Sequence, residues 1–211
     1  AAHALVRNGE SIVYAEYSFA VYALATQEVG ARAIEVKSRA YGHDLDAMAA
    51  AIAPDTKLVF IANPNNPTGT FVSAAEIEAF LAKVPPHVVV VLDEAYNEYL
   101  DAGQQYESVA WVRKYPNLMV SRTFSKAYGL AGLRVGYGVA QPQLTDLLNR
   151  VRQPFSVNSL ENAALGLVLE GMKSNYGKRL APLKIEWRRG VFEPIDPPAP
   201  RDYSAPASDY A

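Results

Sequence analysis

Short apolar runs alternate with longer amphipathic ones along the first 150 residues, and Gly, Pro, Asn and Asp mark most junctions. The run Lys-Leu-Val-Phe-Ile-Ala over 57–62 predicts a buried strand. The run over 87–92 is nearly all valine and predicts a central strand covered on both faces. Further strands are predicted over 11–14, 33–36, 118–121 and 133–139. Helical spacing falls between them, over 19–29 with Gly30 at its end, 45–53 after Asp44, 73–83, 108–115, and 142–152 with Pro142 near its start. Ser-Ala-Ala-Glu over 73–76 is a capping box, in which the Ser oxygen and the Glu carboxylate satisfy free backbone N–H groups. Strand and helix in alternation predict an α/β sheet. A helix is expected over 159–189, weakened by Gly166, Gly171 and Gly177. Residues 190–211 contain five prolines and no periodicity, which predicts a loose or disordered tail.

Composition narrows the partners. Of 211 residues, 50% are hydrophobic and 20% charged, with a formal net charge of -2. This suits one large domain or one and a half. No run of Lys or Arg stands out, which argues against nucleic acid and anionic membrane. Cysteine is absent, so disulfides, thiolate metal sites and a Cys nucleophile are excluded. No apolar run approaches the ~20 residues of a membrane span. His3, His43 and His87 are too scattered for a metal site and read as surface or packing residues. Gly129, Gly132 and Gly136 lack the strand, glycine turn and helix order of a dinucleotide fingerprint.

Three motifs each leave a predicted strand, where open α/β sheets bind their ligands. Asn-Pro-Asn-Asn-Pro-Thr-Gly over 63–69 forces a sharp exit and presents the amide of Asn66. The alternative is a plain loop. Asp-Glu-Ala-Tyr over 93–96 follows the valine run. A carboxylate there is poorly solvated and needs a partner, for which a cationic ring nitrogen is suited. The spacing can put Asp93 and Tyr96 on one side of a turn, while Glu94 reads as an acidic loop start. Third, Thr123, Ser125 and Arg134 offer donors suited to a phosphate, with Lys126 among them. Nearby cations and partial burial would favour the free amine of Lys126. Alone, it would read as a solvated lysine. Together these groups offer an amine for an aldehyde, an acid for a pyridine nitrogen, and donors for a phenolate oxygen and a phosphate. That set complements pyridoxal 5′-phosphate.

The motifs Asn-Pro-Asn-Asn-Pro-Thr-Gly, Leu-Asp-Glu-Ala-Tyr and Arg-Thr-Phe-Ser-Lys-Ala-Tyr-Gly-Leu-Ala-Gly-Leu-Arg-Val-Gly-Tyr resemble those of the fold-type I, class I/II aminotransferases. Within that family the resemblance is strongest to the branch acting on histidinol phosphate, and it runs over about 12–159. It implies a three-layer α/β/α large domain with a mostly parallel mixed sheet. It also implies that Lys126 bonds to the cofactor aldehyde and later moves the proton, and that Asp93 pairs with the ring nitrogen. Asn66 and Tyr96 would then bind the ring oxygen, and Thr123, Ser125 and Arg134 the phosphate. Glu-Tyr-Ser-Phe-Ala-Val-Tyr over 16–22 resembles the segment carrying the ring-stacking aromatic, which makes Phe19 either that residue or a core aromatic at a helix start. The family further implies a cytoplasmic homodimer that uses a small amino donor and 2-oxoglutarate. Aminotransferases of other amino acids, phosphothreonine decarboxylase-like enzymes and a non-catalytic cofactor-binding remnant share enough of this pattern to remain open. An earlier phosphate-binding stretch and most of the small domain, with its substrate-binding arginine, have no counterpart here. The expectation is therefore a shortened member: a partial large domain over 1–158, a divergent helical segment over 159–189 and the tail.

Overall fold

The computed structural model describes residues 1–152 and the strands within 168–169, 183–188 and 191–195. The chain divides into two units, Ala1–Thr123 with Gly136–Ser156, and Phe124–Val135 with Val157–Ala211.

The first unit holds six strands: β1 (Ser11–Ala15), β2 (Arg32–Val36), β3 (Thr56–Ala62), β4 (Val89–Asp93), β5 (Leu118–Thr123) and β6 (Gly136–Ala140). Their order is β2-β1-β3-β4-β5-β6. The first five run parallel, and β6 lies antiparallel to β5. The expected mostly parallel mixed sheet is therefore present. Six helices join or flank the strands: α1 (Ala2–Leu5), α2 (Val21–Glu28), α3 (Leu45–Ala50), α4 (Ala74–Leu81), α5 (Ser108–Trp111) and α6 (Pro142–Arg150).

Alternation along β3 explains why both faces are covered. Val59 and Ile61 enter one core with Met48 of α3, Ile77 and Phe80 of α4, and Val112 just past α5. Leu58, Phe60 and Ala62 enter the other with Ala2 of α1 and Tyr22 of α2. Leu58, Val59 and Ile61 have no exposed surface, and each such side chain contributes about 1.5–3 kcal/mol. The capping box of α4 forms as expected, with Ser73 and Glu76 each satisfying the other's backbone N–H. The Asp44 side chain caps α3 by accepting from Ala47.

Three boundaries differ from expectation for local reasons. Phe19 lies outside α2, which begins at Val21. β6 starts at Gly136 and not at residue 133, because Ala131–Leu133 forms a 3-10 turn that ends in a left-handed Arg134 with φ 61°. The helix expected over 159–189 falls mostly outside the described residues, but its described parts, Val168–Leu169 and Leu183–Arg188, are strands. Leu-Lys-Ile-Glu-Trp-Arg alternates with period two, and that strand pattern wins over the helical reading. Within the expected tail, Val191–Ile195 is also a strand, paired at the edge of this second, three-stranded antiparallel sheet. Pro194 is tolerated there because an edge strand leaves one side unpaired.

His43 proves to be a packing residue. Its Nε2–H donates to the Ala62 carbonyl at 2.8 Å, at the very end of β3. Burial pushes its pKa down, and the bond to Ala62 opposes this. The unfolded chain takes up a proton near pH 6.5 that the folded state resists. The stability linked to His43 is therefore complete above that pH and is lost as pH falls below it, at up to about 1.4 kcal/mol per pH unit. Urea midpoints measured at pH 7 and pH 5 should fall more steeply in the wild type than in His43→Gln, which keeps a donor for Ala62.

Candidate functional site

The asparagine-rich loop leaves β3 and divides its labour. Asn63 has no exposed surface. Its amide donates to the Val72 carbonyl and the Tyr106 hydroxyl, and its oxygen accepts from Val72 N–H. Asn65 is buried and donates to the Tyr17 carbonyl and to Thr68 Oγ1. These two amides hold the loop by replacing strand hydrogen bonds with side-chain ones. Asn66 is half-buried, and its amide donates to the Tyr96 hydroxyl at 3.4 Å.

Asp93 is the last residue of β4 and sits in register with Ala62 of β3 and Ser121 of β5. Its backbone is therefore fixed from both sides. Its carboxylate is half-buried and accepts from the Tyr22 hydroxyl at 2.7 Å and from Ala95 N–H at 3.2 Å. A turn follows and brings Tyr96 round to the same side. Phe19, Asn66, Asp93 and Tyr96 line one small cleft with Tyr22, Ala62 and Pro64. Phe19 is 40% exposed there, which places it on the cleft wall and not in the core. Four of the eight residues singled out in the sequence thus meet from three separate strand exits.

The sequence reading passed over the partner of Glu94. This residue is fully buried, and it is no mere loop start. Arg122 of β5 donates from Nε to its Oε2 at 2.8 Å and reaches Ser108 at 3.4 Å. Glu94 Oε1 is buried without a hydrogen-bond partner. The pair locks the residue after Asp93 to the neighbouring strand. Parallel register set the pairing: the step from Asp93 opposite Ser121 puts Glu94 beside Arg122.

Thr123 ends β5, half-buried and paired with Gly136. Ser125, Lys126 and Arg134 belong to the second unit. Within its segment Phe124–Val135, Phe124 N–H bonds to the Val135 carbonyl at 3.1 Å, and Leu130 N–H to the Phe124 carbonyl at 3.0 Å. Gly129, with φ 70°, closes a turn onto the Lys126 carbonyl at 2.9 Å, a conformation in which a side chain would be strained. Lys126 therefore stands at the start of a tight turn and is exposed, where partial burial had been expected. Arg134 is also exposed and donates to the Ala131 carbonyl at 3.1 Å. Its left-handed backbone is uncommon for a residue with a Cβ, and such strain collects at functional positions.

Residues 1–182 match the family described as aminotransferase class I and II. The chain belongs to the class I and II aminotransferases. Among curated aminotransferases it is 82% identical over 164 residues to histidinol-phosphate aminotransferase 1 of Cupriavidus pinatubonensis, which covers 78% of this chain and 44% of the relative. It is 75% identical to histidinol-phosphate aminotransferase 2 of Ralstonia nicotianae, with the same coverage. The structure of a histidinol-phosphate aminotransferase from Sinorhizobium meliloti in complex with pyridoxal-5′-phosphate superposes with a TM-score of 0.72 at 30% identity, covering 77% of this chain and 44% of that one. The chain thus spans less than half the length of these aminotransferases. The match includes every residue of the cleft and of the Lys126 turn. Among the described residues no cluster of metal-ligating side chains occurs, and no helix is long and apolar enough to cross a membrane.

Proposed function

We propose that this chain carries the pyridoxal-phosphate-binding part of an aminotransferase acting on histidinol phosphate and 2-oxoglutarate. The observation that carries the reading is the cleft jointly lined by Phe19, Asn66, Asp93 and Tyr96. Its donor set fits the ring of pyridoxal phosphate. Asp93 keeps lone pairs beyond its two hydrogen bonds and suits a protonated ring nitrogen. The Asn66 amide and the Tyr96 hydroxyl suit the ring oxygen, and Phe19 suits the ring face. The substrate class rests on the names of the relatives at 82% and 75% identity.

When bound, the cofactor draws electrons from the bond between the substrate carbon and its proton, which makes that proton acidic. Each residue then has a distinct task. The Lys126 amine would hold the aldehyde and, once the substrate amine has displaced it, would be free to accept the proton from the substrate carbon and return it as a general base and acid. Asp93 would keep the ring nitrogen protonated by supplying the opposing charge. Thr123, Ser125 and Arg134 would donate to the phosphate, with Arg134 adding a full positive charge. The same reading carries a homodimer in the cytoplasm, both drawn from the family, and sedimentation tests the first.

The test is spectroscopic. Adding pyridoxal phosphate to the chain should produce a bound visible band, and histidinol phosphate should then bleach it. Glutamate should form once 2-oxoglutarate is supplied. A cofactor spectrum identical with and without the protein would overturn the reading. A band that forms but responds to a different amino donor would keep the cofactor and replace the substrate.

A further inference from the structure

We propose that Tyr22 is a positioning residue: its hydroxyl aims the Asp93 carboxylate at the nitrogen of a bound pyridine ring. The inference rests on the cofactor reading above and adds to it a residue that no motif along the chain assigns a role.

Tyr22 lies in the first turn of α2, three residues after Phe19, and is 4% exposed. Its ring is held on two sides. It stacks on Phe60 with centroids 4.5 Å apart and an interplanar angle of 5°, and it meets Phe19 edge-on at 5.9 Å. The hydroxyl therefore has little freedom, and it donates to Asp93 Oδ2 at 2.7 Å. That is a well-formed bond from a hydroxyl to a carboxylate oxygen. Ala95 N–H takes the other oxygen at 3.2 Å. With one bond on each oxygen the carboxylate cannot rotate, and each oxygen retains acceptor capacity for a ligand.

The electrostatics agree with this geometry. Burial first, and then the charge of Asp93, push the ionisation of Tyr22 far above the usual phenol range. The hydroxyl stays a donor throughout the working pH range, so the pair carries one negative charge and not two. One negative charge matches one protonated ring nitrogen. Phe19 touches both the cleft and the Tyr22 ring, so the residue suited to cover the cofactor also braces the residue that aims the acid.

Tyr22→Phe removes only the hydroxyl and keeps the stack on Phe60. The probes are pyridoxal phosphate and 1-deazapyridoxal phosphate, in which a C–H replaces the ring nitrogen. Affinity is read by absorbance titration of the whole chain, with the melting temperature of the cofactor-free protein recorded alongside. Tyr22→Phe should bind pyridoxal phosphate about tenfold more weakly, the usual cost of losing an outer hydrogen bond behind a bound group. It should bind the deaza compound within about twofold of the wild type. Asp93→Asn gives the reference loss when the charge itself is gone. Equal losses on both probes would reduce Tyr22 to a structural residue and overturn the proposal, as would no loss on either. If the wild type takes up neither probe, the cofactor reading fails and this inference falls with it. If the wild type and Asp93→Asn differ as expected while Tyr22→Phe behaves as the wild type, only the inference fails.

Discussion

Lys126→Ala is expected to abolish covalent attachment of pyridoxal phosphate and to lower amino transfer by ~10 000-fold or more. The proposed role gives this one amine two tasks. It bonds to the aldehyde, and it moves the proton on the substrate carbon. Loss of a positioned general base alone costs about 100- to 10 000-fold, and loss of the covalent link adds to that. The effect on folding should be small. Lys126 is exposed, and the turn that carries it is closed by backbone atoms, from Gly129 N–H to the Lys126 carbonyl. Three measurements separate the possibilities: the visible band, borohydride reduction followed by mass analysis, and the melting temperature of the cofactor-free chain. The expected result is no adduct at an unchanged melting temperature. An adduct that survives in Lys126→Ala would assign the covalent bond to another lysine.

The largest effect on stability is expected at Arg122→Met. Glu94 is fully buried and Arg122 partly so, with side-chain exposures of 0% and 19%. Removing the arginine takes the opposing charge away from a buried carboxylate whose Oε1 already lacks a hydrogen-bond partner. Breaking a buried pair in this way costs about 3–5 kcal/mol, a large part of the 5–15 kcal/mol typical of a whole domain. Urea unfolding should show that loss directly. Arg122→Met combined with Glu94→Met should recover at least half of it, since two apolar side chains of similar volume replace a pair that was costly to desolvate. A single variant that loses under about 1 kcal/mol would mean that water already reaches Glu94.

The two expected results also show which parts of the molecule could be read from the chain. β3 and β4 were plain, because unbroken apolar runs have few structures open to them other than a strand covered on both faces. Asp93 was legible for a related reason: a polar side chain directly after such a run has to be used or paired, whereas Asn66 and Tyr96 stood out only through the motifs that contain them. The reading stopped where distance along the chain exceeded a turn. Tyr22 looks like one more apolar residue of α2, and only the fold brings its hydroxyl to Asp93, 71 residues away. Glu94 and Arg122 are 28 residues apart and meet only through the register of β4 and β5. Asn63 and Asn65 could not be separated from Asn66 by type or spacing, because what distinguishes them is the set of carbonyls and hydroxyls each one meets. Over 183–188 the period-two alternation is a stronger signal than the helical spacing, which Gly166, Gly171 and Gly177 already weaken.

The strand order carries a consequence for how the protein is made. After β2 is laid on one side of β1, β3 docks on the other side of β1, and from β4 through β6 each strand docks on the one synthesised just before it. A chain emerging from the ribosome therefore adds strands at one growing sheet margin from β3 onward, and the next strand to emerge is the one that covers it. When α4 has left the ribosome and β4 has not, β3 is left as that margin, with its backbone edge lacking the valine strand. Nascent chains halted there should be the stickiest of the series, and those halted after β6 the least.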